Sequence, residues 1–221
     1  MKTNYRIILG SSSPRRQQLL SGIDLPFTVD PVKELDENHL PPDILPEDIP
    51  LHLARSKSLS FHRSLEKDEL LITADTLVFT RNKHARGKHN WSVLGKPASV
   101  NDARCMLDHL SGRCHKVITG VYLRSGSCPE KGSQSDKAPD QEIHTGFQDT
   151  TLVWFASLDE REIEYYINTY KPFDKAGSYG VQEWLGYIGI EKIQGSYFNV
   201  MGFPVHKLWQ WLRHFNAISF L

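Results

Sequence analysis

The chain carries no surplus of either charge: its 26 Lys and Arg balance 26 Asp and Glu. No global field therefore draws it toward nucleic acid or an anionic membrane, and any recognition of phosphate must be local. Cysteine is scarce. Cys105, Cys114 and Cys128 form no CxxC pair and leave an odd number, which fits neither a disulfide framework nor a thiolate zinc site and points to a reducing compartment. Long apolar runs are missing too: Ile7-Ile8-Leu9 falls far short of a signal-peptide core, and no later stretch approaches a membrane span. These absences predict a soluble, cytoplasmic protein with no membrane and no nucleic acid among its partners. With no internal repeat and no long linker, residues 1–221 read as a single domain.

What is present alternates between strand and helix, the pattern of an α/β fold. A strand over residues 6–10 runs into a helix with Ser13 as N-cap and Pro14 in the first helical position, closed by Gly22. A short strand near residues 27–30 leads into a proline-rich, acidic connection containing Glu34, Asp36 and Glu37. Pro50 then sits in the first turn of a helix running to about residue 64, with Lys57 on it. Residues 70–80 are apolar on nearly both faces, as in a strand covered on both sides, with Asp75 and Thr76 interrupting. Ser99 caps a helix with Asp102 three positions on, and Ala103, Met106, Leu107 and Leu110 form its buried stripe before Gly112.

Residues 114–124 and 146–156 return to strand pattern. The tract between them, near residues 125–144, has the composition of a mobile hairpin excursion, and residues 81–90 form a second polar insertion. His84 and His89 in that insertion are five apart and cannot share a helical face as a metal pair. Ser157 and Glu160 read as a capping box for a helix burying Ile163, Tyr166, Ile167 and Tyr170. A last helix from about Pro204 buries Val205, Leu208, Trp211, Leu212 and Phe215.

The chemistry-bearing residues stand out against this frame. Ser11-Ser12-Ser13-Pro14-Arg15-Arg16 brings three hydroxyls and two guanidiniums to a helix N-terminus, where backbone N–H groups and the helix dipole already favour phosphate. A solvated surface pair is the alternative for the arginines. Asp75 lies in a strand that otherwise looks buried, so its carboxylate must be paired, metal-bound, shifted in pKa or bonded to a neighbouring turn. Glu37, with Asp36 beside it, is a second available acid. Two carboxylates meeting at a phosphate site suit Mg²⁺, which prefers oxygen ligands and bridges to substrate phosphates. Lys57 and Lys96 are further cations, each either a phosphate ligand or a surface solubiliser. Lys96 is aimed by Gly95 and Pro97. Residues 174–182, with two glycines and the amide of Gln182, read as a loop able to close over a base, or as a plain surface turn.

The ordered set Leu9-Gly10-Ser11-Ser12-Ser13-Pro14-Arg15-Arg16, Leu53-Ala54-Arg55-Ser56-Lys57, Ala74-Asp75-Thr76, Leu94-Gly95-Lys96-Pro97, Leu110-Ser111-Gly112, residues 174–182, Gly195-Ser196-Tyr197 and Asn199-Val200-Met201-Gly202-Phe203-Pro204 closely resembles the Maf-like nucleoside triphosphate pyrophosphatases. The resemblance runs from Ile7 to about Phe215. It implies an elongated α/β mixed sheet with flanking helices and a central cleft, related to the inosine triphosphatase architecture, in a homodimer. It implies divalent-metal-dependent (Mg²⁺ or Mn²⁺) hydrolysis of a nucleoside triphosphate between its α and β phosphates. Carried over by position, Asp75 matches the family's acidic catalytic residue, the proton acceptor for water, and Glu37 its second acid at the metal. Ser11, Arg15, Arg16, Lys57 and Lys96 match phosphate-handling positions. Arg15, Thr76 and Gln182 match those separating the dTTP and UTP branch from the methylated-GTP branch, and favour the pyrimidine branch. Glu183 and Trp184 stand where the family usually has glycine. The rival expectation is a noncatalytic nucleotide-binding or partner-binding regulator of cell division.

Overall fold

In the computed structural model the described residues are 2–33, 40–81, 91–126 and 143–220. Glu37, Asp36, Cys128, both insertion histidines and most of the two insertions lie outside them.

The strands are β1 (Lys2–Thr3), β2 (Arg6–Leu9), β3 (Phe27–Val29), β4 (Glu69–Arg81), β5 (Trp91–Leu94), β6 (Cys114–Ser125), β7 (His144–Phe155), β8 (Ile190–Gln194) and β9 (Ile218–Ser219). The helices are α1 (Pro14–Ser21), α2 (Ile49–Leu59), α3 (Val100–Leu110), α4 (Glu160–Tyr170), α5 (Trp184–Gly189), α6 (Tyr197–Val200) and α7 (Val205–His214). A seven-stranded sheet runs β3-β2-β4-β6-β7-β8, with β5 also on β4, and β1 pairs with β9 in a separate two-stranded sheet. β2 is parallel to β3 and β4, and the remaining pairs are antiparallel. The architecture is the α/β fold that the sequence pattern predicts, with the mixed sheet that the resemblance implies.

β4 is the spine, and its two edges differ. Along one edge β6 accompanies it from Leu70 to Phe79. On the other, β2 reaches only as far as Ile72 and β5 begins at Val78, so residues 73–77 lack a strand neighbour there. Alternation along β4 sends Thr73, Asp75, Leu77 and Phe79 to one face and Ala74, Thr76 and Val78 to the other. The first face packs on α2, where Ile49, Leu53, Leu77, Phe79 and Ile118 form a compact cluster. The second joins the main core with Leu107 and Leu110 of α3, Ile163, Tyr166 and Ile167 of α4, and Leu208 and Leu212 of α7. Because the edge is interrupted at residues 73–77, groups from both faces meet beside it.

Close approach of α2 depends on Gly120, the β6 residue paired with Asp75. A Cβ there would lie 2.3 Å from the backbone nitrogen of Leu51, so the helix seats only over a glycine. Two turns further along the same helix Lys57 comes over Asp75. α2 stops at Leu59 rather than near residue 64. Arg124 donates to the Ser58 carbonyl at 2.6 Å and to its hydroxyl at 3.1 Å, a cation at the helix C-terminus, and Phe61 turns inward against Ile8 and Leu71.

Two further expectations shift. The capping box at α4 is formed by Asp159 and Glu162, not Ser157 and Glu160. The Leu158 amide is held by the Ser111 hydroxyl at 2.8 Å, which keeps the chain extended through that point. Ser13 occupies the N-cap position of α1 but its side chain makes no cap hydrogen bond. Its own amide donates to Ser11 Oγ at 3.3 Å, drawing the serine turn back on itself.

Candidate active site

Beside the interrupted edge of β4 lies a cavity of about 330 Å³ lined by Ser11, Arg15, Arg16, Lys57, Asp75, Thr76, Lys96 and Gln182, among others. Eight residues singled out in sequence, spread over more than 170 positions, thus face one hollow. Its volume is at the lower end of small-molecule sites.

Asp75 is 6% exposed, and its Oδ1 is in contact with the Lys57 ammonium. A buried carboxylate is costly without a counter-ion, and Lys57 supplies one. Thr73 on the same face fixes α2 further by donating to the Ala54 carbonyl at 2.7 Å.

Arg16 reaches in from α1 on the other side. Its Nη1 donates to the Ala74 carbonyl at 2.9 Å and to Ser11 Oγ at 3.3 Å, its Nη2 to Thr76 Oγ1 at 3.2 Å, and its Nε to the Gly202 carbonyl at 3.0 Å. Four hydrogen bonds use most of the five N–H groups a guanidinium has. The side chain therefore satisfies part of the β4 edge that no strand covers and ties the serine turn to the segment after α6. Burial lowers its pKa, opposed by the charge of Asp75, yet a guanidinium stays protonated. Arg16 lines the pocket, and its local sequence does not announce this bracing, because the Ala74 and Gly202 carbonyls and the Thr76 hydroxyl are brought by other segments.

Thr76 continues the polar seam. Its hydroxyl lies 3.0 Å from that of Thr119, which donates to the Asn199 carbonyl at 3.1 Å. Asn199, fully buried, in turn donates to the Val117 carbonyl and to Thr151 Oγ1 at 2.9 Å. The Asn199 to Pro204 segment is thereby pinned to β6 and β7.

Arg15 extends to the pocket mouth and donates to Asp174 at 2.8 Å. Asp174 also accepts from Lys175 at 2.7 Å, and Lys175 lies 3.1 Å from Glu183. Burial acts to raise the Asp174 carboxyl, but the bonds from Lys175 and Arg15 outweigh it and leave its pKa below the ordinary carboxylate value. Residues 174–182 are no plain surface turn: Lys175 and residues 177–181 are buried. Gly177 adopts φ +69° with its amide on the Gly95 carbonyl at 3.0 Å, which couples this loop to the segment carrying Lys96. A Cβ at Gly95 itself would meet nothing within 4 Å, so crowding does not require that glycine. Tyr179 of the loop stands 2.7 Å from His115 Nε2, a partner that no local sequence signal announces. Gln182 Oε1 is buried without a hydrogen-bond partner in a residue that lines the cavity.

Among the described residues no three His, Cys, Asp or Glu side chains gather as a ready-made metal cage. Asp75 supplies a carboxylate at the pocket wall. A single carboxylate plus substrate oxygens is within the range of Mg²⁺, which is commonly held by one or two carboxylates together with phosphates. The oxygen donors at the pocket wall therefore fit a hard divalent cation.

Residues 6–215 match the family model described as Maf-like protein. The chain is 46% identical over 211 residues to the dTTP/UTP pyrophosphatase of Parabacteroides distasonis, with 96% of each chain covered. It is 44% identical over 210 residues to the protein of the same description from Bacteroides fragilis, covering 95% of each. The Porphyromonas gingivalis dTTP/UTP pyrophosphatase is 41% identical over 220 residues, which cover 96% of this chain and 95% of that one.

Proposed function

The chain belongs to the Maf-like protein family, and we propose from that premise that it hydrolyses dTTP, UTP or modified pyrimidine relatives at the α–β phosphate bond, giving the monophosphate and pyrophosphate. The observation that carries this reading is the meeting of Arg15, Lys57, Asp75, Lys96 and Gln182 around one cavity. The curated relatives, which match nearly end to end, are named as dTTP/UTP pyrophosphatases. A noncatalytic regulator is correspondingly disfavoured.

Attack on the α-phosphorus builds negative charge on its nonbridging oxygens and on the departing pyrophosphate. Arg15, Lys57 and Lys96 are cations held beforehand around that charge, so they lower the barrier without reorganising. The serine turn at the α1 N-terminus adds dipolar support. Asp75 accepts the proton of the attacking water. Arg16 keeps Ser11, Thr76 and the Gly202 segment in register for these contacts. A divalent cation, Mg²⁺ or Mn²⁺, would be held by Asp75 with Glu37 and would supply charge neutralisation on the phosphates. Gln182 Oε1 is an acceptor awaiting a donor, which uracil and thymine provide at N3–H and cytosine does not. Arg15 and Thr76 complete the base-selecting set.

The reading includes one domain over residues 1–221, a homodimer and a cytoplasmic location. No described helix is long and apolar enough to cross a membrane.

The test is incubation with a panel of canonical and modified nucleoside triphosphates plus Mg²⁺ or Mn²⁺, with product identification. Pyrophosphate and a pyrimidine monophosphate are the expected products. Diphosphate with inorganic phosphate would place the cleavage elsewhere, and binding without turnover would favour the regulator.

A further inference from the structure

Glu183, the residue after Gln182, sits in a built contact. Its carboxylate accepts from the hydroxyl of Tyr166 and lies 3.1 Å from the Lys175 ammonium. Tyr166, on α4, is completely buried, and its hydroxyl oxygen accepts the Gly180 amide at 3.0 Å. The hydroxyl thus donates to Glu183 and accepts from Gly180, linking the two ends of a four-residue turn. Burial, with the Glu183 charge added, raises the Tyr166 pKa, so it remains a donor. The turn is closed by the Glu183 amide on the Gly180 carbonyl at 3.0 Å. Packing leaves it little play: a Cβ at Gly180 would lie 2.7 Å from Glu183 Cδ, and one at Gly186 only 1.9 Å from the Val181 carbonyl oxygen.

Gln182 is inside this turn. Its Oε1 is buried without a partner, and leaving a buried acceptor unmet is costly. A freely moving side chain would turn that atom to water, so something must hold it. We propose that Glu183, through Tyr166 and Lys175, is a positioning residue for base selection. It fixes the Gly180-to-Glu183 turn so that Gln182 presents an acceptor to the imide N–H of a uracil or thymine base. The proposal rests on the pyrimidine triphosphate reading above and adds the residue that enforces it. The resemblance marks Glu183 only as a departure; its contacts make it the strut of that loop.

The experiment measures binding and turnover separately. Affinities for α,β-imido UTP and α,β-imido CTP, which the proposed cleavage cannot consume, are determined for the unmodified protein and for Glu183→Ala, Glu183→Gln and Tyr166→Phe, alongside kcat and KM for UTP. The unmodified protein should prefer the uridine analogue. In Glu183→Ala and Tyr166→Phe that preference should fall about tenfold, the size of one well-placed hydrogen bond, with KM for UTP rising and kcat changing less than threefold. Glu183→Gln still accepts from Tyr166 and should retain most of the preference. Loss of both analogues by the same factor, or a preference unchanged in all three variants, would overturn the proposal. Should Glu183→Ala fail to fold, the Tyr166→Phe and Glu183→Gln pair decides. Absence of UTP turnover by the unmodified protein would instead overturn the hydrolase reading, while the analogue affinities still judge Glu183.

Discussion

Burial of His115 in β6, with one ring nitrogen 2.7 Å from the Tyr179 hydroxyl and the other unpartnered, pushes its pKa down to about 3. In the unfolded chain the same imidazole titrates near its ordinary value of about 6.5. Between those values the unfolded state binds the extra proton, so stability is complete above the unfolded pKa and is lost as pH falls toward 3. The slope from this group alone approaches about 1.4 kcal/mol per pH unit. Urea unfolding at pH 7 and pH 5 should therefore show acid weakening, and His115→Gln should flatten it. An unchanged slope in the variant would count against the assignment. Legibility in sequence varies residue by residue. Asp75 announces itself, since a carboxylate in a strand apolar on both faces must be used or compensated. Arg16 shows its place but not its work, because three of its four acceptors, on Ala74, Thr76 and Gly202, come from distant segments. His115 gives no sign at all: an alternating strand does not say which polar residue finds a tyrosine 64 positions away.

At the scale of elements, the site is made by where strands stop. Along β4 the pairing with β2 ends at Ile72 and that with β5 starts at Val78, and the intervening edge of β4 becomes a wall of the pocket. The long strand was readable from its apolar run and the α3 stripe from its helical period. The interruption was not, because edge partnership is a property of topology rather than of β4's own residues. The same holds for α2, whose earlier end is set by Arg124 from β6 and by Phe61 turning inward. The Asp159 box shows a subtler limit: two i, i+3 pairs offered themselves two residues apart, and a tertiary bond to Leu158 chose between them. Gly120 allows the most direct test at this scale. Gly120→Ala would press a methyl into the Leu51 backbone, 2.3 Å from its nitrogen, and lift the helix that carries Lys57. Overpacking of this kind costs about 1–3 kcal/mol, so the melting temperature should drop by several degrees and turnover should fall with it. A variant of unchanged stability and activity would show that the helix is not seated as described.

Over the whole molecule, the turn that carries Gln182 and the arginine at the pocket mouth are joined by one chain of charge. Glu183 meets Lys175, Lys175 meets Asp174, and Asp174 meets Arg15 at 2.8 Å. Zero net charge, read first as an exclusion, is thereby given content: cations and acids are sorted locally around a hollow, not spread as a field. That hollow is foreseeable from the ordered motifs, since Ser11, Arg15, Lys57, Asp75, Lys96 and Gln182 each carry a polar group suited to it. Glu37, the proposed second acid, lies outside the described residues. The central claim is that Asp75, paired with Lys57 inside this pocket, drives hydrolysis rather than merely bracing the fold. The decisive measurement is pyrophosphate release from UTP or dTTP by Asp75→Asn, taken together with nucleotide affinity. The variant should still bind nucleotide measurably, with turnover reduced on the order of 10²-fold or more; near-normal pyrophosphate release would show that Asp75 only braces the fold.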